Sequence, residues 1–586
     1  MSDRDPLGEA DRASFASQTS RRMFLGAAPA MAAAMGLPQA SGAPPERVSE
    51  ATLACAEELS GLAFTDEERE LMLDAVNANR AHYEALRQVE LPADTEPAFR
   101  FRPEIPAGAA ETRQRQSFEA APPSARPLPR VEVSVEPIEN LAFQPVTALA
   151  PLVRERRISS TELTRMYLNR LKTHGTRLEA VVTMTEELGL AQAAEADREI
   201  AAGKYRGPLH GIPWGVKDLL ATRGIRTTWG AKPYEHQVID TDATVVERLR
   251  AAGAVLVAKL VTGELARGNL WFGGRTKNPW DPTRGAGGSS AGPAAAAAGG
   301  LVGFTIGTAT GGSIVQPASV CGAVGLQPSY GRVSRHGVMT LAWTLDKAGP
   351  ICRSVEDCML VLEAIAGPDG RDETVVDVPV VWNPEASIDG LRIGYVARAF
   401  DDPPGRGDDD GVRRERKAVL DAALQQFREL AGRPLEPVAL PALPAQAIFA
   451  IVLAEGGASF GELVQSGAAG ELTGQGPGSQ ASYLRAAQFI PAVEYLRAQR
   501  VRRLLVREMN ALFSRYDALL LPHDLEMVRM TNLSGHPCIS VKAGFVNRLP
   551  EAVLVAGPLH DEGMVAQVAR AYERATEWND RQPPMA

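Results

Sequence analysis

Patterns for metal binding and for a disulfide framework are missing from this chain of 586 residues. It has only five cysteines, and an odd number excludes complete internal pairing. No cysteine spacing resembles a zinc site, and the eight histidines form no H-E-x-x-H or comparable cluster. We therefore expect no metal and no cofactor. The cysteines are expected to be small buried hydrophobic residues, with a Cys352–Cys358 bridge as the alternative that their short spacing allows.

An excess of positive charge and a membrane-spanning apolar run are missing as well. The formal net charge is −9, which argues against nucleic acid or an anionic membrane surface as the main partner. Hydrophobic residues make up 45% and charged residues 23% of the chain, as is ordinary for a soluble globular protein. We expect a small-molecule substrate, no nucleic acid and no stable membrane anchor, and the sequence points to no particular oligomeric state.

The first 43 residues have the layout of an export signal. The stretch SRRMFLGAAPAMAAAMGLPQASGAPPE places Arg21 and Arg22 before a short alanine-rich apolar region, and small residues follow at positions 40–43. The order S-R-R-x-F-L resembles a twin-arginine signal. This predicts a cleaved signal over residues 1–43, the twin-arginine export machinery as a partner, and a periplasmic or secreted product. The alternative is a chance arginine pair before a surface helix.

Residues 44–134 are expected to form a helical extension followed by a proline-rich linker. The stretches RVSEATLACAEELSGL and TDEERELMLDAVNANRAHYEALRQ are typical of two helices, and Thr65 with Glu68 forms a capping-box pair at the second. Eight prolines between residues 91 and 130 prevent a regular helix or a central strand there.

The main domain is expected over residues 135–586, where strand-like and helical patterns alternate. GIPWGVKDLL and AVLVAKL are apolar runs of strand length, and helical patterns such as TDATVVERLRAAG lie between them. This alternation predicts an α/β fold around a mostly buried sheet. Residues 401–480 are rich in Asp, Gly and Pro, which favours a variable and partly mobile region.

The first segment that carries chemistry is GPLHGIPWGVKDLL, in which Lys217 follows an apolar strand-like run. One interpretation is a lysine at the end of a strand, in water, since lysines are rarely buried. The other is a lysine held in an apolar site. Burial disfavours the ammonium form, so the pKa falls and the neutral amine becomes available as a base.

The second segment is NPWDPTRGAGGSSAGPAAAAAGG, which contains Ser289 and Ser290. Its composition is also that of a flexible Gly/Ala/Ser linker. The run G-S-S-A-G formally matches the G-x-S-x-G elbow of an esterase, with Ser290 as the nucleophile. That elbow needs a hydrophobic strand directly before it, and residues 278–283 (NPWDPT) cannot form a central strand. A phosphate loop is disfavoured because its lysine is missing.

The third segment is LVGFTIGTATGGSI, an apolar run followed by small residues and Ser313. Gly311 and Gly312 have no Cβ, so the backbone can bend until successive N–H groups point at one spot. An oxyanion hole requires that arrangement. Ser313 would lie at its edge, where the hydroxyl can attack a bound carbonyl.

Each segment alone is a weak signal, but the three in this order resemble the amidase signature family. The resemblance covers residues 135–575 and includes GIPWGVKD, NPWDPTRGAGGSSAG, TGGSIVQPASVCGAVGLQPSYGRVS and YDALLLP. It implies a large mixed β-sheet flanked by helices, within the α/β class.

The resemblance also implies a Ser–Ser–Lys triad. On the matching positions, Ser313 is the nucleophile, Ser289 is a bridging serine held through a cis peptide bond, and Lys217 is the base. Ser290 is a supporting serine that hydrogen-bonds near the lysine. An oxyanion hole is implied for four backbone N–H groups, those of Thr310, Gly311, Gly312 and Ser313.

Two departures from the family pattern flank the expected nucleophile. The family commonly has Asp at the position of Ala309 and Arg at that of Val315. The glycine after the serine pair is replaced by Ala291, and Pro293 follows Gly292. These changes leave the three triad residue types intact, and we interpret the Ala309–Val315 combination as a compensated loss of an ion pair.

Together these features predict an exported hydrolase that cleaves a linear amide C–N bond through an acyl-serine intermediate. An export signal argues against the family's cytoplasmic role in a tRNA-amidotransferase complex. Two alternatives stay open at this point: a catalytically silent binding protein with the amidase fold, and an esterase that uses Ser290.

Overall fold

The computed structural model describes residues 47–91, 133–403 and 409–585. The predicted export signal over residues 1–43 therefore lies outside the described residues, as does most of the predicted proline-rich linker. Residues Ser49–Ala586 group into one compact unit. In the described part of the chain, no helix is both long enough and apolar enough to cross a membrane.

One large mixed sheet organises the molecule. The strands found in the described residues are β1 (Val181–Met184), β2 (Pro213–Lys217), β3 (Val255–Leu260), β4 (Leu270–Trp271), β5 (Gly274–Arg275), β6 (Phe304–Ala309), β7 (Val324–Gln327), β8 (Lys347–Cys352), β9 (Ile393–Val396), β10 (Glu436–Val438), β11 (Ala518–Pro522), β12 (Cys538–Val546) and β13 (Leu549–Ala556). Within those residues eleven strands share the sheet, in the order β1-β3-β2-β6-β8-β7-β12-β13-β11-β9-β10, and β4 pairs with β5 alone. Strand β2 runs parallel to both of its neighbours, β3 and β6.

Helices pack against this sheet. Their bounds are α1 (Glu50–Ser60), α2 (Asp66–Arg87), α3 (Val146–Arg154), α4 (Ser160–Arg170), α5 (Glu186–Ala201), α6 (Thr244–Ala251), α7 (Ala291–Ala298), α8 (Val315–Cys321), α9 (Val355–Ile365), α10 (Ala397–Asp401), α11 (Asp410–Ala431), α12 (Ala445–Ile448), α13 (Ala450–Ser459), α14 (Gly461–Gln465), α15 (Gln480–Ala487), α16 (Ala492–Phe513), α17 (Leu525–Ser534) and α18 (Glu562–Arg574). Helix α5 packs on β3, α7 on β6, α8 on β13 and α18 on β12. The prediction of a large mixed sheet flanked by helices is confirmed.

The small side chains of the alanine-rich helix α7 let its backbone approach the backbone of neighbouring segments. All of its residues are buried. A Cβ at Gly292 would lie 2.6 Å from the carbonyl oxygen of Ala180 and would overlap the backbone of Val261 next to β3. Only glycine permits this approach. The same contact fixes the start of α7, which follows the serine pair of the second segment.

The N-terminal extension has the two helices that the sequence predicts, α1 and α2. The capping box at α2 is present: the Glu68 backbone N–H donates to Thr65 Oγ1 at 3.2 Å, and the Thr65 N–H donates to Glu68 Oε2 at 3.0 Å. The buried stripe of α2 includes Asn79, which the pattern treats as an interruption. Helix α2 packs against α12, α15 and α16, so the extension is part of the folded unit.

Residues 409–480 contain more regular structure than their composition suggests. Helix α11 runs for 22 residues and is capped by the Asp409 side chain, which accepts from the Val412 N–H at 2.9 Å. Its apolar stripe, which includes Leu420, Leu424 and Phe427, is buried. Packing of that stripe against the rest of the protein stabilises the helix, although the sequence around it is rich in Gly and Pro, which disfavour helices.

The cysteines are free thiols. Four of them are buried, as expected of small hydrophobic residues, whereas Cys55 is exposed. Cys352 and Cys358 form no bridge.

Candidate active site

Lys217 ends β2 and is fully buried beneath the ends of three parallel strands. Its Nζ lies 2.8 Å from Ser289 Oγ and 2.9 Å from Thr308 Oγ1. The carbonyl oxygen of Thr308 is 3.4 Å away. The structure therefore brings two of the residues predicted for the site into direct contact, across 72 positions of sequence.

The protonation state of Lys217 follows from this burial. Burial lowers the pKa of the Lys217 ammonium well below its ordinary value, and the negative charge of Asp346 partly opposes that change. An amine with a strongly lowered pKa is neutral over a wider pH range, and its lone pair can then accept a proton.

The neighbouring Asp218 has a separate partner on the other side of the strand. Its Oδ1 lies 3.4 Å from Lys259 Nζ, and both side chains are completely buried. Thr228 donates its backbone N–H to Asp218 Oδ2 at 2.8 Å. Lys259 pairs with Val216 and not with Lys217 in the register of β2 and β3, so its ion pair with Asp218 lies apart from the lysine of the candidate site.

The serine pair lies at the start of α7, and the two hydroxyls face different partners. The peptide bond between Gly288 and Ser289 is cis, as the family resemblance implies. Ser290 is fully buried, and its Oγ donates to the Thr308 carbonyl at 3.0 Å and accepts from the Thr308 N–H at 3.2 Å. Ser290 thereby holds the end of β6 beside the lysine.

An esterase elbow at Ser290 finds no support in this geometry. The strand nearest before Ser290 in the chain is β5, which ends at Arg275. A nucleophile elbow exposes its serine at the end of a strand. Ser290 instead is buried, and its hydroxyl is bound to backbone groups.

Gly311, Gly312 and Ser313 form the turn between β6 and α8. Gly312 has a φ of +117°, a conformation that L side chains rarely adopt. Among the described residues, no hydrogen bond engages the backbone N–H groups of these three residues. They are therefore available to a ligand. The turn contacts the serine pair through the Ser290 N–H, which donates to the Ser313 carbonyl at 3.3 Å.

Ser313 itself is partly exposed, in contrast to the buried Ser289 and Lys217. Within the described parts of the chain, no hydrogen bond joins the Ser313 side chain to Ser289. The structure thus brings Lys217 and Ser289 together and places Ser313 on the adjacent turn.

Sequence reasoning missed two polar residues of the site, Thr308 and Asp346. Thr308 lies two positions before Thr310, and side chains two positions apart in a strand point to the same face. This spacing could have identified Thr308 from the sequence. Asp346 accepts from Thr310 Oγ1 at 2.6 Å and from the N–H groups of Leu341 and Ala342 at 2.8 and 2.9 Å. Burial raises the pKa of Asp346, and these hydrogen bonds oppose the shift.

Two apolar side chains, Phe449 and Val528, enclose the glycine turn, and we call them the wall. A Cβ on Gly311 would lie 2.6 and 2.7 Å from ring atoms of Phe449, and one on Gly312 would overlap Val528 Cγ1. The Arg529 guanidinium lies 5.4 Å from the centre of the Phe449 ring. Both wall residues lie far from the three segments in sequence, and no local pattern marks them.

The two departures from the family pattern are both buried. Ala309, at the end of β6, is 1% exposed, and Val315, at the start of α8, is fully buried. Ala309 belongs to an apolar cluster with Ile314 and Ala318. In the part of the chain that the structure describes, no group of three or more His, Cys, Asp or Glu side chains could hold a metal ion.

A model of the amidase family matches residues 162–527. The chain belongs to the amidase signature family. It is an amidase-family enzyme, and the activity that this membership carries is the hydrolysis of amides.

The most similar curated relatives include a glutamyl-tRNA(Gln) amidotransferase subunit from Methylococcus capsulatus, which is 36% identical over 74% of this chain and 97% of the relative. The corresponding protein from Thermosynechococcus vestitus is 37% identical over 74% of this chain and 98% of its own. About a quarter of the amidase-family chain thus lies outside these alignments.

Solved structures similar to this chain include those of two amidases. Native peptide amidase from Stenotrophomonas maltophilia is 29% identical, with a TM-score of 0.65 over 76% of this chain and 99% of its own. A bacterial aryl acylamidase of the amidase signature family is 25% identical, with a TM-score of 0.67 over 75% of this chain and 97% of its own.

Proposed function

We propose that this chain is an exported amidase that hydrolyses a linear carboxamide, with Ser313 as nucleophile, Ser289 as proton relay and Lys217 as base. The observation that carries the proposal is the 2.8 Å contact between the buried Lys217 amine and Ser289. It lies next to a turn whose backbone N–H groups at Gly311, Gly312 and Ser313 make no hydrogen bond within the described residues. Ser290 supports the site through β6. No metal or cofactor takes part.

The reaction begins when the neutral Lys217 amine accepts the proton of the Ser289 hydroxyl, which in turn accepts the Ser313 proton. Catalytic hydrogen bonds tighten in the substrate complex, so Ser313 closes on Ser289 at this stage. The Ser313 Oγ bonds to the amide carbon, and the carbonyl oxygen becomes an oxyanion. The backbone N–H groups of Gly311, Gly312 and Ser313, with that of Thr310, hold this charge.

The C–N bond then breaks as the Lys217 ammonium returns its proton through Ser289 to the leaving amine. An acyl-serine remains on Ser313. Water repeats the sequence: its proton passes to Lys217, its oxygen attacks the acyl carbon, and the free acid leaves as Ser313 regains a proton. Proton transfer of this kind contributes ~10²–10⁴-fold to the rate.

The decisive test compares two serines. We expect Ser313→Ala to abolish both turnover and covalent labelling by a serine-reactive phosphonate, and Ser290→Ala to keep part of each. Aryl amides, aliphatic amides, peptide amides and esters would be screened as substrates of the wild-type chain. Labelling that follows Ser290 instead would restore the esterase interpretation. A folded wild-type chain that neither turns over nor labels would favour a silent binding protein.

Export is a separate part of the proposal and has its own test. The motif that supports it, Arg21 and Arg22 before a short apolar region, lies outside the described residues. Replacing both arginines by lysine is expected to leave full-length protein in the cytoplasm. Mature protein from the natural host that begins at Met1 would contradict a cleaved signal.

A second candidate function is a role within an amidotransferase complex. It is favoured by the relatives of 36% and 37% identity, which carry that name. The peptide amidase and aryl acylamidase structures support an amide hydrolase. The two roles differ in an assay of the purified chain: a hydrolase releases amine from simple amides, whereas a member of an amidotransferase complex would need partner proteins and glutamyl-tRNA for transfer.

A further inference from the structure

We infer that helix α2 of the N-terminal extension sets the substrate selectivity of the candidate site by holding Phe449 against Gly311. The inference rests on the proposed function in that the substrate carbonyl is taken to bind at this turn. Helix α2 ends at Arg87 and so lies outside residues 162–527, which the family model matches.

The contact nearest the candidate site in this arrangement is the one between Phe449 and the glycine turn. The ring edge of Phe449 lies so close to Gly311 that a Cβ there would be 2.6 Å from it. Phe449 and Ser313 are both partly exposed, and Ser313 belongs to the turn that the ring touches. A group attached to a substrate carbonyl bound at this turn would therefore lie close to the ring.

Helix α12 connects Phe449 to the extension. It ends at Ile448, directly before Phe449, and packs against α2, α16 and α17. With only four residues, α12 cannot hold its own position, since one helical turn is unstable without tertiary contacts. Helix α13 begins directly after Phe449. The place of α12 is therefore set by α13 together with the longer helices packed against it, of which α2 belongs to the extension.

Polar contacts clamp α2 to the helices behind α12. Three of them, the α2 clamp, are Arg87 with Glu494 at 2.5 Å, Glu68 with Arg485 at 2.8 Å, and the Leu71 carbonyl with the Ser482 hydroxyl at 2.7 Å. Glu494 and Arg485 are almost completely buried, whereas their partners on α2, Arg87 and Glu68, are partly exposed. The clamp therefore joins α2 to buried groups of α15 and α16.

A second connection reaches the Phe449 ring from α17. The Arg529 guanidinium on α17 lies 5.4 Å from the centre of that ring. The pKa of His82 on α2 is lowered, mainly by burial and in addition by the positive charge of Arg529. The ring therefore contacts both the glycine turn and a guanidinium whose charge acts on α2. Removing the support from α2 would widen the space next to Ser313.

The test measures kcat and KM for 4-nitroanilides of acetate, butyrate, octanoate and benzoate. The variants are Phe449→Ala, the clamp variant Arg87→Ala with Glu494→Gln, and Leu86→Ala as a second disruption of α2. Each methylene accepted or rejected by an apolar pocket changes kcat/KM by roughly 10–200-fold. We expect both Phe449→Ala and the clamp variant to raise the octanoate-to-acetate ratio of kcat/KM at least ~10-fold, mainly through KM for the longer chain.

The matched control is Lys417→Ala with Asp421→Asn, which removes an ion pair from α11. It should leave the ratio unchanged. Hydrogen exchange gives a readout that needs no activity: residues 445–449 should exchange faster in the clamp variant than in the control. An unchanged ratio together with unchanged exchange would overturn the inference. If the wild type hydrolyses no amide, the proposed function fails, and the exchange measurement alone decides whether α2 holds Phe449.

Discussion

Replacing Gly311 by alanine tests the geometry of the glycine turn with a single methyl group. The added Cβ would lie 2.6 Å from Cε2 and 2.7 Å from Cζ of Phe449. Carbon atoms in ordinary contact are ~3.5–4.0 Å apart, so the overlap is about 1 Å. Either the ring moves outward or the backbone of the turn moves away from the position that the oxyanion would occupy.

The size of the effect follows from these two responses. Overpacking of this kind costs ~1–3 kcal/mol of unfolding free energy. If the backbone takes up the displacement, an N–H group moves by about 1 Å, and a misplacement of that size can lower turnover ~10²-fold. We therefore expect Gly311→Ala to lose ~10–10³-fold in kcat on a small acyl substrate, where the wall itself matters least.

Phe449→Ala should rescue Gly311→Ala, because removing the ring removes the overlap. Measured as a double-mutant cycle in kcat and in unfolding free energy, the pair should be far from additive. Gly312→Ala should be rescued less by Val528→Ala, since its φ of +117° strains an alanine whatever space is made. The control is Gly470→Ala, where nothing lies within 4 Å of the added Cβ. Full turnover by Gly311→Ala, or additive effects in the cycle, would refute this account of the turn.

Three further predictions concern charge at the site. Lys217→Ala should keep the circular dichroism spectrum of the wild type and lose at least ~10²–10⁴-fold in turnover. Wild-type activity should fall as the pH decreases through the lowered pKa of Lys217, because protonation removes the base. A rate that stays flat down to about pH 4 would remove Lys217 from the mechanism. Asp346 raises that pKa, so Asp346→Asn should shift the acid limb to lower pH, while the buried Asp357→Asn should not. Ala309→Asp and Val315→Arg should each destabilise the fold by ~3–5 kcal/mol, because each variant buries an unpaired charge. The double variant should recover part of this loss. Additive losses would mean that the two positions do not interact.

The strands near the site were predictable because their sequence signals are local. Apolar runs of strand length mark β2 and β3, and both strands lie where the sequence predicts them. Which strands become neighbours is not a local property. The approach of Lys217 to Ser289 was implied by the family resemblance and not by spacing, since 72 residues separate them.

The residues that the sequence did not reveal are those that act through tertiary contacts. Asp346 lies 36 positions from Thr310 and meets it only because β8 pairs with β6 in antiparallel register. Phe449 is 138 positions from Gly311 and reaches it through the packing of a four-residue helix. Neither connection leaves a period or a motif in the chain. In helix α11 a tertiary contact stabilises a local element instead: one buried apolar stripe supports a helix in a region whose composition predicts a mobile segment.

In the proposed mechanism a second serine relays the proton between the base and the nucleophile, and the burial of each group gives a physical reason for that relay. Lys217 must be dry to be neutral, and it is fully buried. Ser313 must be reachable by a substrate, and it is partly exposed. A direct contact would either admit water to the lysine, which would restore its charge, or bury the nucleophile. Ser289, 1% exposed and 2.8 Å from the amine, separates the two requirements, because a hydroxyl can accept one proton while it donates another.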